Sequence, residues 1–470
     1  MLTDQYRITF QELCELFANI CGSRAVYTEK EQLYAYETDH TLRMRCPFEV
    51  LVKPSSPDQI AAILSECSRY RIPVTPRGGG SGVTGGALPV GGGVVLSLER
   101  LNKIISIDEL ESYVIAEAGV VTDDLTAAIQ QKGLYYPVSP SSSGYSFIGG
   151  NVAENAGAVN SCKFGKTSRY VLNLEVALPS GEVIWTGTNV AKSSTGLNLT
   201  PLFVGSEGIL GVITKVVLRL LPQYSQETLL LAAFNDLKSA CETVLEIKRS
   251  GLSPSAVELI DSDAIRLTAA FLNRPLPLVT AETGAHLLVG LQERDADAMR
   301  DTLESAALLL AKFTPRDVLV AQTTEEKNKL KELRFSIGNA MTAGGRLYRD
   351  IDACVPVARL YDYAMTVKTI CKEAGLNTAC FGHALDGNLH TMIVMSNDEE
   401  GIDVVVPDDV LCRIYEFAVS IGGVISGEHG VGLLQKKYIR IQYTDEQLRI
   451  MARLKDLFDP NGILNPGKVL

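Results

Sequence analysis

Two groups of residues in this chain have the types and spacing to do chemistry. The first is Pro76-Arg77-Gly78-Gly79-Gly80-Ser81-Gly82-Val83-Thr84-Gly85-Gly86, in which six of eleven residues are glycine. Such a run has almost no side chains to bury, and it loses the most entropy on ordering. Its use is to bring successive backbone N–H groups up to a bulky anion, and a diphosphate fits that description. The second group is histidines. Three of the five in the chain, His383, His390 and His429, fall in one region. His383 and His390 bracket Asp386-Gly387-Asn388, a turn signal that folds two imidazoles towards one point. Glu428 and His429 stand between Gly427 and Gly430. His383, His390 and Glu428 together make a divalent-metal set that leaves positions open for a substrate. Zinc, iron(II) and manganese all suit it. His40 and His286 are read as structural.

The glycine run contains a literal G-x-G-x-x-G from Gly80 to Gly85. The dinucleotide fingerprint of that form must open a helix inside a βαβ unit. Here a turn follows, Ala87-Leu88-Pro89-Val90-Gly91-Gly92-Gly93, and then the apolar strand Val94–Leu98. The helix lies before the glycines: Pro57–Arg71 has Ile60, Ile63, Leu64 and Cys67 on one face. The glycines therefore join two extended segments.

The elements that position these residues fall into two textures. Up to Pro222 the chain reads as short strands, helices and glycine-rich turns. Strands are expected at Val50–Val52, Val74–Pro76, Ile104–Asp108, Tyr113–Glu117, Val171–Leu178 and Lys215–Leu220. Thr122 is placed to cap a helix over Asp123–Lys132. Two further glycine-rich segments stand here, Pro140–Gly157 and Leu202–Thr214. After Pro222 long amphipathic helices alternate with apolar strands, the pattern of an α+β domain. The sequence thus divides into 1–222, 223–415 and a last segment, 416–470.

A net charge of −11 without a basic cluster argues against a nucleic-acid partner. No apolar stretch reaches the length of a membrane span, and the N-terminus shows no signal-peptide pattern. The ten cysteines form no C-x-x-C, so no iron–sulfur cluster or zinc ribbon is expected. Reduced thiols in the cytoplasm, with the protein free or peripheral at the inner face of the membrane, are the simplest expectation.

Several segments taken together resemble the FAD-binding family of vanillyl-alcohol oxidase and p-cresol methylhydroxylase, in its D-2-hydroxyacid dehydrogenase branch. They are P-R-G-G-G-S-G, S-P-S-S-S-G with I-G-G-N-V-A-E-N-A-G, L-F-V-G-S-E-G-I-L-G-V-I-T, F-G-H-A-L-D-G-N-L-H, S-G-E-H-G-V-G and D-P-N-G-I-L-N-P-G-K. The resemblance runs from about Phe48 to Leu470. It implies an α+β fold: a two-subdomain FAD-binding domain, a cap domain with an antiparallel sheet that carries the substrate, and a C-terminal segment returning to the FAD domain. Pro76, Arg77, Gly78, Gly79, Gly80, Ser81 and Gly82 would then hold the FAD diphosphate. Pro140, Ser141, Ser142, Gly144, Gly149, Gly150, Asn155 and Gly157 would wrap the isoalloxazine and ribityl. Gly208, Gly211 and Ile213 would line the flavin further, and Asn465 would reach it from the tail. Many members attach the flavin through a histidine near the first glycine segment. This chain has none between His40 and His286, so non-covalent FAD is expected.

Oxidising a 2-hydroxyacid removes a proton from oxygen and a hydride from the α-carbon. A metal on the hydroxyl lowers its pKa, His429 is placed as general base, and the hydride goes to flavin N5. Arg334 matches the family's carboxylate-binding arginine, and Tyr348 and Asn388 are further pocket candidates. Members acting on 2-hydroxyglutarate carry a lysine where this chain has Asp350, which would repel a second carboxylate. D-Lactate is therefore favoured, with glycolate and D-2-hydroxyglutarate as alternatives, unless Arg346 or Arg349 compensates. A non-redox FAD transferase of the alkyldihydroxyacetone-phosphate synthase type is the competing class. Electrons must pass to a separate acceptor: an electron-transfer flavoprotein, an iron–sulfur subunit or a quinone.

Overall fold

Helix Pro57–Tyr70 and strand Val74–Arg77 lead into the glycine run. Ser56 caps the helix and proline opens it, while Ile60, Ile63, Leu64 and Cys67 form its buried face. These come from a computed structural model, which describes residues 7–41, 44–343, 347–395 and 406–470.

The chain forms two units. One comprises Met1–Gly157, Lys166–Pro222 and Glu428–Leu470, the other Ala158–Gly165 and Gln223–Gly427. The return to the first unit comes at Glu428 and not at 416. Helix Asp408–Ser420 runs unbroken through that position, with Ile414, Tyr415 and Ala418 buried beside helix Leu360–Glu373.

The first unit holds a four-stranded and a five-stranded sheet, with Leu134–Tyr135 and Leu221–Pro222 paired as a third. In the four-stranded one, Val94–Ser97 lies between Val50–Val52 and Val74–Arg77, parallel to both, and Val26–Tyr27 forms the edge. The five-stranded sheet is antiparallel, in the order Ile104–Asp108, Tyr113–Glu117, Val212–Arg219, Val171–Ala177, Val183–Trp185. Thr122 does not cap its helix. The helix spans Thr122–Gln130 behind Val121, without a side-chain cap. The Thr122 side chain is fully buried and needs partners inside, so it donates to the Ser146 carbonyl at 3.1 Å and accepts from Asn151 at 2.6 Å. Helix Ile148–Glu154 was hidden by its paired glycines.

The second unit is built on one antiparallel seven-stranded sheet. Its order is Asp317–Ala321, Gln226–Phe234, Ala285–Glu293, Ala256–Asp261, Asn377–His383, Asn388–Met395, Leu347–Cys354. Strands Asp317–Ala321 and Asn377–His383 and helix Ser262–Leu272 are additions to the sequence reading. On one face, helices Ser262–Leu272 and Thr324–Thr342 cover Ile260, Ala379, Phe381 and Met392 with Leu333, Ile337 and Met341. A turn at Ala384–Gly387 joins the strands that end and begin at His383 and Asn388, as Asp386-Gly387-Asn388 predicts. No helix among the described residues is long and apolar enough to cross a membrane.

Candidate functional site

In the first unit the glycine run forms a loop whose two sides differ. A Cβ on Gly79 would meet the Tyr145 carbonyl oxygen at 2.2 Å, so that glycine is needed for packing against Pro140–Ser146. A Cβ on Gly82 or Gly150 would meet nothing within 4 Å. The amides of Gly79 to Thr84 donate to no backbone carbonyl among the described residues. Free donors beside open space are what a diphosphate requires, so the residues present fit FAD. Arg77 braces the loop: its guanidinium is 7% exposed, donates to the Tyr36 and Ala87 carbonyls, and lies under Gly80. Gly149 and Gly211 serve close packing, where a Cβ would strike Ala118 or Val176. Gly208 takes φ 71° beside Pro76, and Ile213 is buried in its strand. Asn155 is left-handed at the end of its helix and accepts from the Ser168 amide at 2.9 Å. Asn465 spends its amide on the carbonyls of Gly86 and Glu207 at 3.0 and 2.8 Å. It thereby ties the glycine run to the third glycine-rich segment.

The Glu428–His429 loop is held from the same unit by Thr84 and Glu207. Thr84 donates its hydroxyl to the His429 carbonyl at 3.1 Å. Glu207 accepts from the amides of Val431 and Gly432 at 2.8 and 2.7 Å. Glu428 passes close to Gly157, where a Cβ would lie 2.2 Å from Oε2. Glu154, Glu207 and Lys468 form a buried charged cluster that the sequence reading did not single out. Glu154 keeps some accessible surface, yet its Oε2 is shut off from solvent without a hydrogen bond. Burial, then the Glu207 charge, push the Glu154 carboxyl well above the usual range. Burial also raises Glu207, against the two amides that draw it down. Burial pulls Lys468 down to about 7, against Asp39, Cys46 and the two glutamates.

In the second unit, register puts the remaining candidates on one sheet face. Glu258 stands opposite His383, and His390 stands between Phe381 and Asp352. The His383 and His390 rings are 5.6 Å apart and nearly perpendicular. His383 Nδ1 lies 2.6 Å from Glu258 Oε1, and Arg334 Nε donates to Glu258 Oε2. Burial alone would raise Glu258, but Arg334 and His383 outweigh it and hold the carboxyl at about 2. Arg334 also lies over the Phe381 ring, 5.1 Å from its centroid. Asn388 gives its amide to Asp352 Oδ1 at 2.8 Å and to the Ala353 carbonyl at 3.1 Å. Tyr348 is partly buried against the core on that face.

Asp352 is the residue that spacing alone concealed. It is fully buried and accepts from the Ser426 hydroxyl at 2.9 Å and the Gly427 amide at 3.0 Å. Asp352 and His390 offer ligand atoms within 4.8 Å of each other, and so do Glu428 and His429, the residues that follow Gly427. Only the strand pairing of Asp352 with His390 could have revealed it. Asp350 shares its face, with Oδ2 3.4 Å from His390 Nδ1. Arg349 alternates to the opposite face, and Arg346 lies outside the described residues.

Comparison with known proteins places this geometry in a family. Residues 48–187 match the FAD binding domain family, and residues 223–469 match the C-terminal domain family of FAD linked oxidases. A D-lactate dehydrogenase of Anaerostipes hadrus is 34% identical over 99% of this chain and 98% of its own. The glycolate oxidase subunit GlcD of Bacillus subtilis is 35% identical over 92% of this chain and 91% of its own. Among solved structures, p-cresol methylhydroxylase with substrate bound superposes with a TM-score of 0.78 at 19% identity, covering 98% of this chain and 96% of that one. That likeness speaks for the fold.

Proposed function

The chain belongs to the FAD-linked oxidases, and from that premise we propose that it oxidises a small D-2-hydroxyacid, D-lactate first, to the 2-oxoacid. FAD, held non-covalently by the glycine segments, supplies the two-electron acceptor when bound. His383, His390 and Glu428, with Asp352 beside His390, would hold a divalent cation, which would supply positive charge to lower the pKa of the hydroxyl. Arg334 grips the substrate carboxylate with its two terminal nitrogens, which its bond to Glu258 through Nε leaves available. His429 takes the hydroxyl proton. Tyr348 lines the pocket, and Asn388 acts through Asp352. Electrons leave to a separate partner: an electron-transfer flavoprotein, an iron–sulfur subunit or a quinone. None of the ten cysteines is in a disulfide, which fits a reducing compartment, and we place the protein in the cytoplasm or at the inner face of the membrane.

The observation that carries this reading is the single sheet face bearing Arg334's partner Glu258 together with His383, His390 and Asp352. Anaerobic addition of D-lactate to the metal-replete flavoprotein tests it. The visible flavin band should bleach, and chelation should abolish the bleaching. A band unchanged by D-lactate, glycolate and D-2-hydroxyglutarate alike would overturn the dehydrogenase reading in favour of the transferase class.

A further inference from the structure

One fully buried carboxylate touches both halves of the proposed chemistry without being part of either. Glu258 sits in strand Ala256–Asp261, the middle of the seven strands with three on either side, on the face covered by the helix that carries Arg334. We propose that Glu258 is the positioning residue that sets the metal ligand His383 and the substrate-binding Arg334 at once. This rests on the metal and arginine assignments proposed above.

The argument is one of donors and acceptors. An ionised carboxylate only accepts. With Oε1 at 2.6 Å from His383 Nδ1, that nitrogen carries the proton, and Nε2 presents its lone pair to a cation. Oε2 takes the Nε–H of Arg334, which fixes the guanidinium plane and leaves its terminal fork for the two oxygens of a substrate carboxylate. The two oxygens belong to one rigid group, so the imidazole and the guanidinium are aimed by the same carboxylate plane. The Phe381 ring beneath Arg334 removes a further freedom. Glutamine cannot replace this residue, because its single oxygen serves one donor only. If its NH2 faces His383, the ring must move its proton to Nε2 and loses that nitrogen as a ligand. If it faces Arg334, the guanidinium loses its anchor.

The test is the affinity of the FAD-loaded protein for Zn²⁺, read by competition with a chelator, alongside the KM for D-lactate at saturating Zn²⁺. Glu258→Gln should lower Zn²⁺ affinity by about 10- to 100-fold where its NH2 faces His383, and raise KM where it faces Arg334. Arg334→Met should raise KM while leaving Zn²⁺ affinity near the wild-type value. That split is not expected of an ion pair that only stabilises the fold. Wild-type Zn²⁺ affinity together with a wild-type KM in Glu258→Gln would overturn the proposal alone. A wild-type protein that binds no Zn²⁺, Mn²⁺ or Fe²⁺ would overturn the metal assignment and this proposal with it. Should Glu258→Gln fail to retain flavin, Glu258→Asp carries the same test, since its shorter arm withdraws both oxygens from His383 and Arg334.

Discussion

In the proposed reading the choice of substrate turns on Asp350. It lies on the face that carries His390 and Asp352, and its charge would repel the second carboxylate of a longer hydroxyacid bound there. Asp350→Asn keeps the shape and removes the charge. It should raise the ratio of kcat/KM for D-2-hydroxyglutarate over D-lactate by about tenfold, which is ~1.4 kcal/mol of discrimination. Steady-state kinetics on both substrates reads the ratio, and an unchanged value would locate selectivity elsewhere. Residue types and spacing pointed to His383, His390 and Glu428, and the family resemblance pointed to Arg334. They did not point to Glu258 or Asp352, because a carboxylate in an apolar strand looks like any half-exposed polar position until its cross-strand neighbours are known.

The loop that carries Glu428 and His429 is an element without regular structure, so its shape depends on what grips it. Asp352 holds it at Ser426 and Gly427, and Glu207 holds it at Val431 and Gly432. Glu207 itself sits at φ 51°, a conformation costly for a residue with a side chain. Glu207→Ala would leave the buried Gly432 amide and the partly buried Val431 amide without an acceptor, at about 1–3 kcal/mol for the buried one. We expect a lower melting temperature and a fall in kcat larger than any change in KM, because His429 loses its support while Arg334 keeps its own. Calorimetry with steady-state kinetics checks both parts. A variant that melts lower with kcat untouched would make Glu207 a stabilising residue only. The sequence marks this loop by its glycines but not the glutamate that grips it, more than two hundred residues earlier in the chain.

Across the whole molecule, buried ionisable groups tie stability to pH. Glu154 has its folded-state pKa raised by burial and by Glu207. The folded state therefore holds a proton that the unfolded chain has released above about pH 4.5. The contribution of Glu154 is fully present below the unfolded pKa and is lost as pH rises towards the folded one. Glu154→Gln should match the wild type in thermal stability near pH 4 and exceed it above neutrality. Melting curves across pH read the difference, and parallel curves at all pH values would remove Glu154 as the titrating group.

What the sequence by itself determined is the local chemistry. Glycine density made the cofactor loops, hydrophobic periodicity made most helices and strands, and Asp386-Gly387-Asn388 turned His390 back towards His383. Each follows from neighbours within a few residues, where propensity and turn geometry act. Tertiary structure alone decided which carboxylates meet which cations. Register across strands set Glu258 against His383 and Asp352 against His390, and helix packing brought Arg334 to Glu258. It also decided that Thr122 serves Ser146 and Asn151 instead of capping its helix. Such pairings are chosen by burial, because an ionised or polar group shut off from water is tolerated only where a partner from elsewhere in the chain is already in place.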